Sequence, residues 1–195
     1  MRPSEAAKAT PPLEDVLKSR GAVLEGHFRL SSGRHSNRFI QKFRILEDPA
    51  IVEPVARKIA VAFRDAKPTI VVSAAVGGII LGYEVARALG TKAIFVEKEN
   101  GVPVLRRNFR LEPCDRALVV EDVITTGGSV NEVLRVVREC GAPIAGIGAI
   151  VRRGDANFGV PTHVLLDMPI ESYDPAHCPQ CANGEPITDP GSRRA

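Results

Sequence analysis

Two short apolar runs, each leading into a glycine loop and then a helix pattern, constrain the fold of this chain most. The runs are residues 69–73 and 117–121, and their β-branched, mostly apolar character is typical of strands buried on both faces. Helices are predicted at 79–89 and 129–139, each followed by a glycine, and further strands at 92–96, 144–151 and 163–166. Strands that alternate with helices indicate parallel β-α-β units. We predict an α/β protein with a doubly wound, mostly parallel sheet.

The whole chain, residues 1–195, is predicted to be a single domain, because 44% hydrophobic residues suffice for one sizeable core. Residues 1–45 do not follow the strand–helix rhythm and are predicted to form a small N-terminal cap, or hood, with a helix ending at Gly21 and strands at 23–28 and 37–43. Residues 46–168 are predicted as the α/β core, opening with a helix at Asp48-Pro49. Residues 169–195, rich in Pro, Gly and Asp, are predicted as an irregular tail.

Charge and composition exclude several classes of protein. The formal net charge is only +3, the chain has no Trp, and aromatic residues make up 5%, so we expect no nucleic-acid partner. No apolar run reaches the roughly 18 residues that a membrane span needs. The N-terminal residues also lack the apolar stretch of a signal peptide. We therefore expect a cytoplasmic protein with reduced cysteines and no membrane association.

The segment that follows the second apolar run carries the most chemical information. Its residues are Glu121, Asp122, Val123, Ile124, Thr125, Thr126, Gly127, Gly128 and Ser129. Glycines and hydroxyls at a helix N-terminus let backbone N–H groups converge on one anion. Carboxylates repel phosphate, so the expected partners of the two acids are hydroxyl groups or a bridging metal. Together these features predict a ribose 5-phosphate ligand, and an ordinary turn with solvated acids is the alternative.

The same segment resembles the 5-phosphoribosyl 1-diphosphate (PRPP) signature of type I phosphoribosyltransferases. There, four apolar residues, two acids and two apolar residues precede a Thr/Gly-rich turn. The resemblance implies the fold of that family, with Glu121 and Asp122 holding the ribose hydroxyls and residues 125–129 wrapping the 5-phosphate. The resemblance spans about residues 13–191, including the Cys178-Pro-Gln-Cys181 tail, which is similar to that of a shorter, thermophile-type branch.

Residues 26–36 resemble the hood turn of one member family, the orotate phosphoribosyltransferases, which usually have Lys where Ser31 stands. This resemblance implies transfer of the phosphoribosyl group from PRPP to orotate in pyrimidine biosynthesis, with Mg²⁺ as cofactor and a homodimer as the active unit. Two alternatives stay open: a phosphoribosyltransferase for purine bases, and a PRPP-sensing regulator without catalytic activity. The chain shows no helix-turn-helix pattern, which argues against the regulator.

Three further segments are assigned by this resemblance. The first glycine loop is implied to bind the diphosphate leaving group, and a close-packed turn is the alternative; the loop contains Ala74, Ala75, Val76, Gly77 and Gly78. Residues 97–110 correspond to a mobile lid that reaches a neighbouring subunit's site. Lys98 is its implied catalytic residue and Arg106 and Arg107 are further cations, while Glu97 stands where the family has Arg. The alternative for this segment is a solvated hairpin.

The resemblance assigns Arg153 and Thr125 to binding of the base, because they match an Arg and a Thr that contact it in the family. Arg152 stands where the family has Asp. Plain surface is the alternative for this pair of arginines. No metal-ligating set is predicted for Mg²⁺, since the ion would bind chiefly to substrate oxygens.

The cysteines and histidines give a weak signal. His177-Cys178-x-x-Cys181 is one half of a zinc motif, but Cys114 and Cys140 have no ligand-like spacing. A structural turn in the tail is therefore the favoured interpretation, with zinc as the alternative. The remaining histidines, His27, His35 and His163, have no partner visible in the sequence.

Overall fold

In the computed structural model, which describes residues 12–30 and 32–190, six strands form one sheet in the order β5-β4-β3-β6-β7-β8. The strands are β3 (Ile70–Ala74), β4 (Lys92–Glu99), β5 (Val102–Leu105), β6 (Ala117–Ile124), β7 (Ile144–Arg152) and β8 (Thr162–Asp167). Five of the six strands are parallel to one another: β4, β3, β6, β7 and β8. The edge strand β5 pairs antiparallel with β4. The predicted doubly wound, mostly parallel α/β sheet is confirmed.

Three helices cover the two faces of this sheet: α3 (Pro49–Phe63), α4 (Gly77–Leu89) and α5 (Gly128–Glu139). Helix α3 begins where predicted, because the side chain of Asp48 accepts a hydrogen bond from the N–H of Ala50 at 3.0 Å. Leu118 and Val120 of β6 pack on the side of α3 and α4, whereas Val119 packs on the side of α5. This alternation explains why residues 117–120 of the strand are all apolar. None of the helices in the described residues is both long and apolar enough to cross a membrane.

The hood contains α1 (Leu13–Ser19), β1 (Val23–Arg29), β2 (His35–Ile40) and α2 (Phe43–Leu46), and its two strands form a separate antiparallel sheet. The predicted strand at 37–43 is wrong at both ends, since β2 begins at His35 and Phe43 already lies in α2. The backbone turns into a helical conformation at Lys42, which lets Ile45 and Leu46 enter the core. Ser31 lies outside the described residues.

The tail, predicted to be irregular, contains a 3₁₀ turn (Pro175–His177) and the short helix α6 (Pro179–Ala182). It is bonded to the hood: the N–H of Thr188 donates to the carbonyl of His27 at 2.8 Å, and His35 exchanges two backbone hydrogen bonds with Tyr173. These bonds place Cys178, which precedes α6, and Cys181, which lies within α6, beside His27 and His35 of the hood. The local sequence does not show this proximity, because it depends on backbone pairing between the tail and the hood.

Candidate active site

A cavity of about 400 Å³, here called the main cavity, lies where β3, β6 and β7 end beneath the hood. Ligands of open parallel sheets bind at this edge. The lining residues come from the two glycine loops, the hood and the end of β7: Phe39, Ile40, Lys42, Ala74, Ala75, Val76, Gly77, Glu121, Asp122, Val123, Thr125, Ser129 and Arg153. The structure thus brings together most of the residues that the sequence assigned to phosphate, ribose and base.

The loop between β6 and α5 encloses a second space of about 20 Å³, the small cavity, which shares Glu121, Thr125 and Ser129 with the main cavity. Gly127 has a φ of 80°, and a Cβ there would lie 2.7 Å from the ring of Phe158, so only glycine fits. A Cβ on Gly128 would meet nothing closer than 3.8 Å, so this position faces open space. The small cavity therefore offers room for an anion at the N-terminus of α5. Thr126 lines neither cavity.

Glu121 and Asp122 do not end β6 as predicted, since the strand continues to Ile124. Both residues are buried, at 7% and 1% exposure. The Glu121 carboxylate accepts the N–H of Asp122 at 3.0 Å, and the Asp122 carboxylate accepts the N–H of Val123 at 2.6 Å. Burial and then the charge of Asp122 raise the pKa of Glu121 to about 8. This shift favours the protonated form of Glu121.

Lys42 is a cavity residue that sequence reasoning missed. Its Nζ lies 2.8 Å from Oδ2 of Asp122 and donates a hydrogen bond to Oδ1 at 3.2 Å. The half-buried ammonium therefore balances the charge of the buried carboxylate and joins the hood to β6. In the sequence, Lys42 is a lysine between the last hood strand and a short apolar helical turn. Nothing in the neighbouring residues indicates that it contacts Asp122, which is 80 positions away.

The residues of the first glycine loop have two different environments. Four of its five residues line the main cavity, and the peptide bond between Ala75 and Val76 is cis. A Cβ on Gly77 would lie 2.0 Å from Oδ2 of Asp122 and 2.5 Å from Nζ of Lys42, so glycine is required for this close approach. Gly78 is buried outside the cavity, where it lets α4 pack closely on Ser73.

The two arginines at the end of β7 have different environments. Arg152 is bound to Asp167 through two hydrogen bonds of 2.6 and 3.0 Å. Arg153 is half-buried and lines the main cavity, and its buried Nε has no hydrogen-bond partner within the described part of the chain. Burial lowers the pKa of its guanidinium. An incompletely paired cation in a cavity is suited to bind an anion.

Comparison with known proteins decides the family. Residues 43–160 match the model of the phosphoribosyl transferase domain. The orotate phosphoribosyltransferase of Pelotomaculum thermopropionicum is 50% identical over 181 residues, which cover 92% of this chain and 95% of that protein. The corresponding protein of Desulforamulus reducens is 47% identical over 182 residues, with the same shares covered. The chain belongs to the orotate phosphoribosyltransferase family.

The fold agrees with this assignment. The crystal structure of orotate phosphoribosyltransferase from Aeropyrum pernix superposes with a TM-score of 0.68 at 29% identity, and the match covers 80% of this chain and 93% of that one. The predicted type I phosphoribosyltransferase fold and the predicted family are therefore confirmed. The roles of individual residues rest on the geometry of this chain.

The segment that corresponds to the orotate phosphoribosyltransferase lid is a hairpin of β4 and β5, joined by a turn at Asn100-Gly101. Lys98 lines neither cavity; its Nζ lies 2.8 Å from a carboxylate oxygen of Glu132 on α5. Within the hairpin, the two arginines are paired with acids of β4: Arg107 with Glu97 at 2.9 and 3.0 Å, and Arg106 with Glu99 at 3.5 Å. In a single chain, therefore, the predicted lid cations are not brought to the site.

Proposed function

We propose that the chain is an orotate phosphoribosyltransferase, which transfers the 5-phosphoribosyl group of PRPP to a ring nitrogen of orotate in pyrimidine biosynthesis. The products are orotidine 5′-phosphate and diphosphate. The supporting observation is the main cavity, where two buried carboxylates and an incompletely paired guanidinium meet beside the glycine loop at the N-terminus of α5. Relatives that carry this enzyme name align with more than nine-tenths of both chains.

The cavity residues suggest how PRPP is held. The 5-phosphate would occupy the small cavity, where loop N–H groups and the α5 N-terminus favour an anion. Glu121 and Asp122 would bind the ribose hydroxyls. Because the pKa of Glu121 is raised and Lys42 balances the charge of Asp122, these acids would contact the ribose without strong repulsion of the nearby phosphate. Residues 74–77 would contact the diphosphate.

Orotate is an anion, so its carboxylate needs a cation. Arg153 is the cation that lines the cavity and has an unused donor, and its planar fork matches a carboxylate. Thr125 lines the same cavity and can add a hydroxyl contact. When the ring nitrogen bonds to C1′, the bond from C1′ to diphosphate breaks and the proton of that nitrogen is released. The departing diphosphate can accept this proton, so no strong protein base is needed. Catalysis would then depend mainly on positioning and electrostatics.

Magnesium is the proposed cofactor, and the residues present fit it. The cavity offers carboxylate oxygens, which Mg²⁺ prefers, and the buried Oδ2 of Asp122 accepts no well-directed hydrogen bond from the described residues. Those residues form no cluster of three metal-ligating side chains in the cavity, so PRPP oxygens would supply most of the coordination. When bound, the ion would neutralise charge on the departing diphosphate.

A homodimer is also part of the proposal. Val76, Ile80 and Tyr83 lie on one side of α4 next to the main cavity and are exposed by 71%, 43% and 65%. Such an apolar stripe is suited to a subunit interface. We further propose that Lys98 of one subunit leaves its contact with Glu132 and binds the diphosphate in the main cavity of the partner subunit. This contact would complete the partner's site.

A turnover assay with PRPP and Mg²⁺ tests this function against the alternatives. Orotate, uracil, hypoxanthine and adenine are supplied separately, and diphosphate release is measured. We expect turnover with orotate and at least a tenfold lower kcat/KM with uracil, which has the same ring without the carboxylate. A tenfold difference corresponds to the loss of about 1.4 kcal/mol of transition-state stabilisation. Preference for a purine base would contradict the proposal, and binding of PRPP without turnover of any base would indicate the regulator.

A further inference from the structure

A second polar cluster, the hood–tail cluster, lies where the hood meets the tail. It consists of His27 on β1, His35 on β2, Cys178 and Cys181, whose ligand atoms all lie within 4.8 Å of one another. The first three residues are buried and Cys181 is exposed. None of the four lines the main cavity. The proposed transfer reaction makes no use of them, so their convergence needs a separate explanation.

The distances within the hood–tail cluster match a tetrahedron. Nε2 of His27 lies 3.1 Å from Nδ1 of His35, 3.5 Å from Sγ of Cys178 and 3.6 Å from Sγ of Cys181. Nδ1 of His35 lies 3.2 Å from Sγ of Cys181. A tetrahedral zinc ion with its usual bond lengths places two nitrogens about 3.3 Å apart and a nitrogen and a sulfur about 3.5 Å apart. The four measured distances agree with these values within about 0.3 Å by that geometry.

The hydrogen bonding of His27 leaves the correct atom free for a metal. Nδ1 of His27 lies 2.9 Å from the carbonyl oxygen of Glu185. A carbonyl only accepts, so Nδ1 carries the proton and Nε2 presents its lone pair to the other three ligands. A backbone carbonyl that fixes the tautomer of a ligating histidine in this way is a recurrent feature of metal sites.

The composition of the hood–tail cluster selects the metal. Two sulfurs and two imidazole nitrogens in a tetrahedral arrangement suit Zn²⁺, and four protein ligands leave no open position for a substrate. The cysteines are free thiols rather than a disulfide. We propose that His27, His35, Cys178 and Cys181 form a structural zinc site that fastens the tail to the hood.

The site would also support the main cavity. Strand β2 leads from His35 to Phe39 and Ile40, which line the cavity, and then to Lys42, which contacts Asp122. Tail and hood are also joined by backbone hydrogen bonds at His27, Arg29 and His35, and by side-chain contacts such as the exposed ion pair of Arg29 with Asp189. Exposed ion pairs contribute little, so a zinc ion would be the strongest connection here.

Metal analysis of the full-length, untagged protein tests the proposal, with cells grown in zinc-supplemented medium and purification without chelators. We expect about one zinc per chain, as for a closed four-ligand site. Two exposed cysteines provide a matched pair: Cys181→Ser removes a ligand, and Cys114→Ser removes a thiol outside the cluster. Cys181→Ser is expected to lose most of the zinc and to unfold at a lower temperature, while Cys114→Ser keeps both properties. Replacement by cobalt should give the absorption of tetrahedral, thiolate-bound Co²⁺.

Four results would overturn the proposal: wild-type protein without stoichiometric metal, equal zinc in Cys181→Ser and wild type, stoichiometric iron instead of zinc, or a Cys178–Cys181 disulfide, seen as a mass lower by two hydrogens. If Cys181→Ser fails to fold, the zinc content and the cobalt spectrum of the wild type still decide between these outcomes.

Discussion

The main cavity and the hood–tail cluster are both polar sites in this fold, but they are built from very different stretches of sequence. Most of the cavity comes from two short segments, 74–77 and 121–129, each at the end of a parallel strand. The cluster comes from four single residues, and His27 is 151 positions from Cys178. A strand, a glycine loop and a helix determine much of their own geometry. The cluster, by contrast, exists only after the tail has packed on the hood.

The two sites also differ in what their polar groups face. In the cavity, the guanidinium of Arg153 is incompletely paired among the described residues and is suited to bind a ligand. In the cluster, the polar atoms face one another. Substitutions in the cavity should therefore reduce turnover while the fold persists, and substitutions in the cluster should reduce stability first.

The largest effect is expected for Asp122→Asn. The amide oxygen can still accept the N–H of Val123, so the protein should fold, but the charge beside the ribose is lost. We expect turnover to fall at least tenfold, which corresponds to about 1.4 kcal/mol of barrier. Steady-state rates and thermal unfolding are measured together. Wild-type turnover, or a loss of stability as large as that of Cys181→Ser, would contradict the division between the two sites.

Gly128→Val sharpens the description of the phosphate loop. Its Cβ would enter open space in the protein, so the KM for PRPP should rise several-fold more than the KM for orotate, without a large change in unfolding temperature. Gly127→Ala is the comparison, because its φ of 80° and the ring of Phe158 make any side chain costly, by about 1–3 kcal/mol. Equal destabilisation by the two substitutions would refute the assignment of Gly128 to the ligand.

Subunit mixing tests whether the cavity is completed by a partner. Lys98→Ala and Asp122→Asn, each of low activity, are combined under conditions of subunit exchange. If Lys98 crosses over, half of the dimers are mixed and each has one intact site, so roughly a quarter of wild-type activity should return. A mixture as inactive as its parents, with exchange demonstrated by mass spectrometry, would show that Lys98 acts within its own subunit or not at all.

The smallest effect concerns pH. The pKa of Glu121 is raised from its ordinary value of 4.5 to about 8 in the folded protein. As pH rises between these values, the unfolded chain ionises Glu121 while the folded protein keeps the proton, so this residue's contribution to stability falls. Relative to Glu121→Gln, the unfolding free energy of the wild type should fall as pH rises from 5 to 8. Urea unfolding of both proteins from pH 5 to 8 measures the difference, and a constant difference would exclude a raised pKa.

The parts of the molecule that sequence reasoning located correctly are those with local causes. The ends of α4 and α5 were predicted from Gly90 and Gly141, both of which adopt positive φ. The two glycine loops were found because their residues are consecutive. Strand β4 was predicted to end at Val96, where the apolar residues stop. It continues through polar residues to Glu99, because it forms a hairpin with the edge strand β5. The turn at Asn100-Gly101 was the signal for that hairpin.

The parts that were missed depend on contacts between distant residues. Lys42 reaches Asp122 only through the packing of the hood on the sheet. His27 and His35 lie on the two hood strands, with their ring nitrogens 3.1 Å apart, and their spacing in the sequence matches no zinc motif. The sequence also did not predict that β6 continues through Glu121 and Asp122. Buried carboxylates require partners such as Lys42, which the local sequence does not show.

The central claim is that Arg153 binds the carboxylate of the base inside the main cavity, and its neighbour provides the matched control. Arg152→Ala breaks only the contact with Asp167, whereas Arg153→Ala removes the cavity guanidinium. The KM values for orotate and PRPP are measured for both variants. We expect Arg153→Ala to raise the KM for orotate about tenfold or more, as for a lost charge-assisted hydrogen bond, with little change for PRPP or in Arg152→Ala. A rise in the KM for orotate in Arg152→Ala, with none in Arg153→Ala, would contradict the claim.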